Sequence, residues 1–253
     1  MNKKVCVVTG SSSGIGAASA ALYAKRGWDV CVNYSKDAKP AEKVAAACKA
    51  HGADVIIERA DVSDDAQCVR MATQVKEHFG RCDVLVNNAG TTKFADLKNL
   101  DGLDAADFQR IYAVNVIGPY QMIRAFLPLL RGNPGGAVVN VSSIAPLLGG
   151  GSSLAYIASK GALNALTLTL ARVLGPEIRV NVVAPGMVDS PWLRNGLGPE
   201  RFEVMLRSYQ SASALGSLVL PEEVAETIYY LGALATKTTG EVHVVDGGRR
   251  VGR

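Results

Sequence analysis

Short, nearly unbroken apolar runs alternate along the chain with longer stretches whose hydrophobic residues recur at helical spacing. The runs predict strands at Lys4–Thr9, Asp29–Tyr34, Asp54–Arg59, Val84–Asn87, Ala137–Val141, Arg179–Val183 and Val242–Val245. The periodic stretches predict helices near 14–27, 40–51, 64–79, 104–131, 153–174 and 221–234. Val5-Cys6-Val7-Val8 and Val138-Val139-Asn140-Val141 are apolar at almost every position rather than at alternate ones, the mark of strands covered on both faces. Strands separated by helices in this way predict an α/β fold, a doubly wound parallel sheet with helices on both faces. The alternation runs almost to the C-terminus without a Pro/Ser-rich linker or an internal repeat, so residues 1–253 read as a single domain. One irregular stretch, from Met187 to about Leu220, separates the sixth strand from the last helix, and its length predicts a lid over a functional site.

Composition narrows the picture. Hydrophobic residues make up 48% of the 253 and charged residues 20%, enough for a sizeable core. The net charge of +4 is mild, and Lys and Arg are scattered apart from Lys3-Lys4 and Arg249-Arg250. With no basic stripe interleaved with aromatics, nucleic acid is not expected as a partner. The five cysteines (Cys6, Cys31, Cys48, Cys68, Cys82) form no C-x-x-C pair; Cys6, Cys31 and Cys82 fall in apolar runs and read as buried free thiols. His51, His78 and His243 are too dispersed for metal-ligand spacing, so no metal is expected. The apolar run Val5–Val8 is too short for a signal-peptide core or a membrane span, and a soluble cytoplasmic protein is expected.

The chemistry gathers at a few positions. Tyr156 and Lys160, four residues apart, project from one face of a helix, and Ser143 lies thirteen positions upstream. A free phenol, with a pKa near ~10, is a poor acid or base at neutral pH, but a neighbouring cation favours its phenolate. Tuned in this way, a tyrosine exchanges protons with a carbonyl or alcohol oxygen. The pair alone is weak, because Tyr and Lys meet at this spacing by chance on many solvated helices. The first strand ends in Thr9-Gly10-Ser11-Ser12-Ser13-Gly14-Ile15-Gly16, and a helical pattern follows. Glycines there permit a tight turn and close backbone approach to a diphosphate held at the helix N-terminus. The spacing is G-x3-G-x-G, not the G-x-G-x-x-G of the common dinucleotide fingerprint.

In sequence order, the loop 9–16, Asp61-Val62, Asn87-Asn88-Ala89-Gly90, Asn115, Ser143, Tyr156-x3-Lys160, Pro185-Gly186 and Val245-Asp246-Gly247-Gly248 resemble the short-chain dehydrogenase/reductase family across essentially the whole chain. The resemblance implies one Rossmann-type domain with strand order 3-2-1-4-5-6-7, and hydride transfer between a nicotinamide cofactor and a carbonyl or secondary alcohol. It implies that Tyr156 is the general acid/base, and that Lys160 lowers the phenol pKa and holds the nicotinamide ribose. Ser143 would bond the substrate oxygen, and Asn115 would bind a water in a proton relay. Ser142 is the alternative to Ser143, and a purely structural bridge is the alternative role for Asn115. Cofactor contacts are implied for Gly10, Ser12, Ser13, Gly14, Ile15 and Gly16, and for Asn33, Tyr34, Ser35, Asp61 and Val62. The same holds for Asn88, Ala89, Gly90, Tyr156, Lys160, Pro185, Gly186, Val188 and Ser190. Asp61 also suits a helix approach with Ser63 and Asp64, and Asn87–Gly90 also suits a structural turn.

The end of the second strand, Val32-Asn33-Tyr34-Ser35-Lys36, bears on the cofactor. Tyr34 stands where NAD-preferring relatives carry Asp, no carboxylate appears before Asp37, and Ser35 and Lys36 suit a 2′-phosphate. Against this, Ser13 stands where many NADP-binding relatives have Arg or Lys. NADP(H) is expected over NAD(H). Pocket walls are expected from Thr91, Thr92 and Phe94, from Pro146-Leu147-Leu148-Gly149-Gly150-Gly151, and from Met187, Trp192, Leu193, Phe202 and Met205. The set is largely apolar, which fits a neutral ketone, aldehyde or secondary alcohol; a 3-oxoacyl thioester is a second substrate class. A silent nucleotide-binding or redox-sensing protein on the same fold is a third function, disfavoured by the intact Ser143/Tyr156/Lys160/Asn115 set. The small-residue stripe Ala155, Ala158, Ala162, Ala165, Thr169 suits sheet packing or a subunit interface, and the resemblance implies a homotetramer, or a homodimer.

Overall fold

The computed structural model describes residues 3–132 and 134–252. Its strands are β1 (Val5–Val8), β2 (Asp29–Tyr34), β3 (Val55–Arg59), β4 (Val84–Asn87), β5 (Gly136–Val141), β6 (Ile178–Pro185) and β7 (Val242–Val245). All neighbours pair in parallel, in one sheet of order β3-β2-β1-β4-β5-β6-β7. Each strand lies within two residues of the ends its apolar run predicts.

Alternate side chains of each strand enter opposite cores. Cys6, Val8, Val84, Val86, Val139 and Val183 pack beneath α1 (Gly14–Lys25), α2 (Ala38–Ala50) and α10 (Pro221–Tyr229). Val5, Val7, Leu85, Val138 and Val180 pack beneath α3 (Asp65–Phe79), α5 (Gly118–Arg131) and α7 (Leu154–Leu174). Burial on both faces explains why these strands read as continuous apolar runs, each such side chain contributing about 1.5–3 kcal/mol. The chain reverses its direction of travel across the sheet between β1 and β4. Their carboxyl ends open the crevice in which ligands of such sheets bind.

Two predicted elements differ from expectation. The helix expected over 104–131 is α4 (Ala105–Tyr112) and α5, joined by a wide π turn at Ala113–Ile117, where the Gly118 N–H bonds the Ala113 carbonyl five residues back. Pro119 explains the break: it has no N–H for the carbonyl four residues behind it, that of Asn115. At Gly118 the backbone rides on Val62, and an added Cβ would lie 2.7 Å from a Val62 methyl. The irregular stretch 187–220 is itself helical, with α8 (Pro191–Leu197) and α9 (Pro199–Ala212) turning at Gly198; the short helix α6 (Ala145–Leu148) follows β5. Among the described residues, no helix is long and apolar enough to cross a membrane.

Candidate active site

The glycine loop between β1 and α1 is built for close approach. Gly10 and Gly14 adopt left-handed φ angles of +59° and +54°, which residues with a Cβ rarely take. At Gly16 a Cβ would lie 2.6 Å from the Gly10 carbonyl and 2.8 Å from Ser11 Cα. Ser13 precedes α1 in extended conformation and provides no side-chain cap, leaving the first-turn amides of the helix to an outside acceptor. The loop therefore fits the diphosphate of a dinucleotide cofactor. Ile15 packs on the core behind it, and Ser12 is half-buried at its rim.

Neighbouring strands hold this loop from below. Thr9 Oγ1 accepts the Asn88 and Ala89 amides, both at 3.0 Å, and Asn88 Nδ2 donates to the Thr9 and Gly10 carbonyls, both at 3.0 Å. Asn33 is fully buried: its Oδ1 accepts the Gly10 N–H at 2.9 Å, while its Nδ2 reaches the Glu58 and Ala60 carbonyls. Both ends of that amide are engaged, so the structure gives Asn33 the task of holding the loop. Asp61 accepts both the N–H and the hydroxyl of Ser63, the turn geometry that was its alternative role, and Asp64 caps α3 through the Gln67 N–H. Val62 is buried against Gly118.

Across the crevice, Ser143, Tyr156, Lys160 and Asn115 converge. Ser143 follows β5, its hydroxyl accepts the Ala145 N–H at 3.1 Å, and it acts on the half-buried Tyr156 phenol, opposing the rise in its pKa. Ser142 points the other way, fully engaged with the Lys160 carbonyl at 3.2 Å. Lys160 is buried, with Nζ 5.7 Å from the Tyr156 ring centroid and donating to the Val141 carbonyl at 2.8 Å. Asn115, in the π turn, accepts the Thr91 N–H at 2.8 Å, donates to the Thr91 carbonyl at 2.9 Å and donates to Ser159 Oγ at 3.0 Å. Its side chain thus forms a structural bridge, which reaches α7 because Ser159 Oγ donates to the Tyr156 carbonyl. A Cβ on Gly90 would sit 3.6 Å from Asn115 Oδ1 and 3.7 Å from Lys160 Nζ, so Gly90 keeps that corner open.

Burial governs the titration of both groups. Burial pushes the Tyr156 phenol up to about 12, opposed by the Ser143 hydrogen bond, and burial lowers Lys160 to about 8. The Lys160 ammonium rests on the Val141 carbonyl, 2.8 Å away.

The stretch 187–220 covers the crevice. Gly186 meets the C-terminal turn so closely that any Cβ would collide with the Tyr209 hydroxyl, which donates to the Asp246 carbonyl at 2.6 Å. Val188 bridges to Val219, and Ser190, against the glycine loop at Gly14, caps α8 through the Leu193 N–H. Pro185 ends β6 beside Val245 of β7. Asp189 grips Arg194 through two bonds at 2.7 and 2.8 Å, and the guanidinium lies 4.2 Å from the centre of the Phe202 ring. Trp192 stands between Phe94, at 5.7 Å, and Tyr156, at 6.4 Å between ring centroids.

Two positioning residues escape sequence inspection: Ser159, and Arg59, whose Nε donates to the Ser35 carbonyl at 3.4 Å. Their identities are ordinary, and only the fold brings them to the site. Tyr34 pairs beside Arg59 in the β2–β3 register, at the edge where cofactor choice is expected to be decided. Among the described residues, no three His, Cys, Asp or Glu side chains are grouped to hold a metal ion.

Known proteins share this architecture throughout. A family model described as enoyl-(acyl carrier protein) reductase matches residues 10–250. A Streptomyces violaceoruber protein provisionally named as ketoacyl reductase 2 of the granaticin polyketide synthase is 41% identical over 96% of this chain and 95% of its own. L-rhamnose 1-dehydrogenase (NAD(P)(+)) of a Sphingomonas species is 34% identical over 98% and 96% of the two chains. The crystal structure of a provisionally assigned short-chain dehydrogenase/reductase from Burkholderia xenovorans superposes with a TM-score of 0.92 at 43% identity, covering 100% of both chains. With the glycine loop, the Ser143–Tyr156–Lys160 cluster and the strand order all in place, the chain belongs to the short-chain dehydrogenase/reductase family of oxidoreductases.

Proposed function

We propose that the protein interconverts a carbonyl and a secondary alcohol with NADP(H), with Tyr156 as general acid/base. The observation that carries this reading is the gathering of Ser143, Tyr156 and Lys160 at one crevice, facing a glycine loop shaped for a diphosphate. When bound, NADPH supplies the hydride. Gly10, Ser12, Ser13, Gly14, Ile15 and Gly16 hold its diphosphate, and Tyr34, Ser35, Asp61 and Val62 border the adenosine end. Asn33 and Asn88 keep the loop in shape, while Ala89, Gly90, Pro185, Gly186, Val188 and Ser190 line the nicotinamide end. The substrate oxygen accepts hydrogen bonds from Ser143 and Tyr156, and as negative charge develops there Tyr156 gives up its proton. Lys160 and the Asn115 turn lead the replacement proton in from solvent.

Two cations flank Ser35, Lys36 and Arg59, while the nearby Asp37 carboxylate is engaged in capping α2 through the Lys39 N–H. That charge pattern supports a 2′-phosphate and hence NADP(H). On α7 the stripe splits: Ala155 is buried, whereas Ala158, Ala165 and Thr169 are exposed beside Leu168 and Val173. This exposed face supports assembly through paired long helices into a homotetramer. The 41% identical ketoacyl reductase favours one alternative, reduction of a 3-oxoacyl thioester, which comparison of acyl thioesters with free ketones decides.

The test is Tyr156→Phe. It should keep NADPH binding, read as a rise in melting temperature, and lose ketone turnover. Undiminished turnover overturns the mechanism.

A further inference from the structure

Three uncharged hydroxyls meet beside the catalytic helix, and the proton-transfer cluster uses none of them. Thr92 Oγ1 lies 2.8 Å from Ser152 Oγ and 3.3 Å from Ser153 Oγ. Ser153 is fully buried at the N-terminus of α7, where its Oγ accepts the Tyr156 N–H. The loops carrying the trio are already joined through the backbone, because the Ala95 N–H donates to the Ser152 carbonyl at 2.9 Å. A staple between them does not need three hydroxyls.

Proton accounting shows an open end. In the Ser153–Thr92 and Thr92–Ser152 pairs either oxygen can donate, and the Thr92 hydroxyl also reaches the Lys93 carbonyl at 3.4 Å. Ser152, half-buried, has Thr92 as its hydroxyl partner and ends the chain, with either a proton or a lone pair to offer. The adjacent cation, Lys93, is held at 2.5 Å by Asp107, so the corner has no free positive charge for a carboxylate. Ser153 precedes Tyr156 by three positions, about 4.5 Å along the helix axis, and the tyrosine side chain leans back toward it. Phe94 and Trp192 form the apolar wall nearby.

We propose that Thr92 and Ser152, backed by Ser153, anchor a second, uncharged oxygen of the substrate, two or three carbons from the carbonyl that Ser143 and Tyr156 engage. The substrate class is then small hydroxyketones or dicarbonyl compounds rather than plain ketones. The inference rests on the carbonyl-reduction reading above and names its substrate.

The test uses the full-length protein with NADPH and two ketone pairs in which a hydroxyl replaces a methyl: 4-hydroxy-2-butanone against 2-pentanone, and 5-hydroxy-2-pentanone against 2-hexanone. The expected result is a kcat/KM three- to tenfold higher for the hydroxyketone in at least one pair, carried mainly by KM. In Thr92→Val and in Ser152→Ala the ratio within that pair should fall to about one. Equal kcat/KM values within both pairs overturn the anchor while leaving carbonyl reduction standing. Variants that lower both members in proportion, keeping the ratio, show a staple and overturn it as well. Turnover of none of the four ketones overturns both the anchor and the carbonyl-reduction reading.

Discussion

Lys160 Nζ donates to the Val141 carbonyl at 2.8 Å, so this lysine of α7 rests on the end of the strand that delivers Ser143. Its burial lowers its pKa from 10.5 to about 8. Between those values the unfolded chain binds a proton that the folded chain does not, so the contribution of Lys160 to stability rises with pH across this window. At roughly 1.4 kcal/mol per unit, the shift corresponds to about 3 kcal/mol. Lys160→Met removes both the buried charge and the donor to the Val141 carbonyl, so the stability of the ligand-free variant relative to wild type should fall steadily as pH rises from about 8 to 10.5. Thermal unfolding across that range checks it, and a gap independent of pH would rule out burial of the charge as the cause.

The two serines after β5 point in opposite directions, and their substitutions should separate cleanly. Ser143 acts on the Tyr156 phenol at the crevice, whereas Ser142 bonds the Lys160 carbonyl within the core. Removing a donor to a developing oxyanion typically costs about 100- to 1000-fold in kcat. Ser143→Ala should lose turnover on that scale while retaining NADPH binding. Ser142→Ala should lower stability by about 1 kcal/mol, the worth of one buried hydrogen bond, and reduce kcat less than tenfold. Steady-state kinetics beside melting curves distinguish the two.

Asn88 gives a third test, because one amide group holds two consecutive carbonyls of the glycine loop. Its Nδ2 donates to Thr9 and Gly10 oxygens, both at 3.0 Å, and a Cβ on Gly16 would strike that same nitrogen. Asn88→Ala leaves both carbonyls without this donor and frees the loop to drift. We expect destabilisation of about 1–3 kcal/mol and an NADPH dissociation constant raised by about tenfold or more, read by fluorescence titration. Unchanged affinity would mean that the loop is held by Asn33 and Thr9 alone.

The sheet was legible because parallel strands buried on both faces leave apolar runs that no exposed element imitates; all seven predicted runs are strands. The break at Asn115 was not. Helical periodicity continues through 104–131, and the loss of one backbone donor at Pro119 does not disturb it. The ordered spacing of Ser143, Tyr156 and Lys160 located the crevice, but not the state of its groups. The raised phenol and lowered lysine depend on burial, a property of the assembled core that spacing along the chain cannot convey. Ser159, Ser152 and Ser153 were silent because a lone hydroxyl carries no pattern until the fold supplies its partner.

Cofactor choice should respond to charge at the carboxyl ends of β2 and β3. Arg59 Nε donates to the Ser35 carbonyl, which fixes the guanidinium beside the turn that also carries Lys36. The candidate acids are turned to other work: Asp37 caps α2, and Asp61 binds Ser63. A 2′-phosphate placed there meets two cations, and each charge-assisted hydrogen bond to it contributes about 1.5–3 kcal/mol. A ribose hydroxyl gains little from the same groups. Arg59→Ala should therefore raise the KM for NADPH by about tenfold and leave that for NADH within about twofold, and Lys36→Ala should act in the same direction. Because part of the attraction is between partly exposed charges, the NADPH preference should also shrink as salt is raised from 0.05 to 0.5 M on the order of the Debye screening expected there. Parallel titrations of both cofactors at two salt concentrations measure it. A ratio that neither the substitutions nor salt alters would place the discrimination elsewhere, at Tyr34 or Ser13.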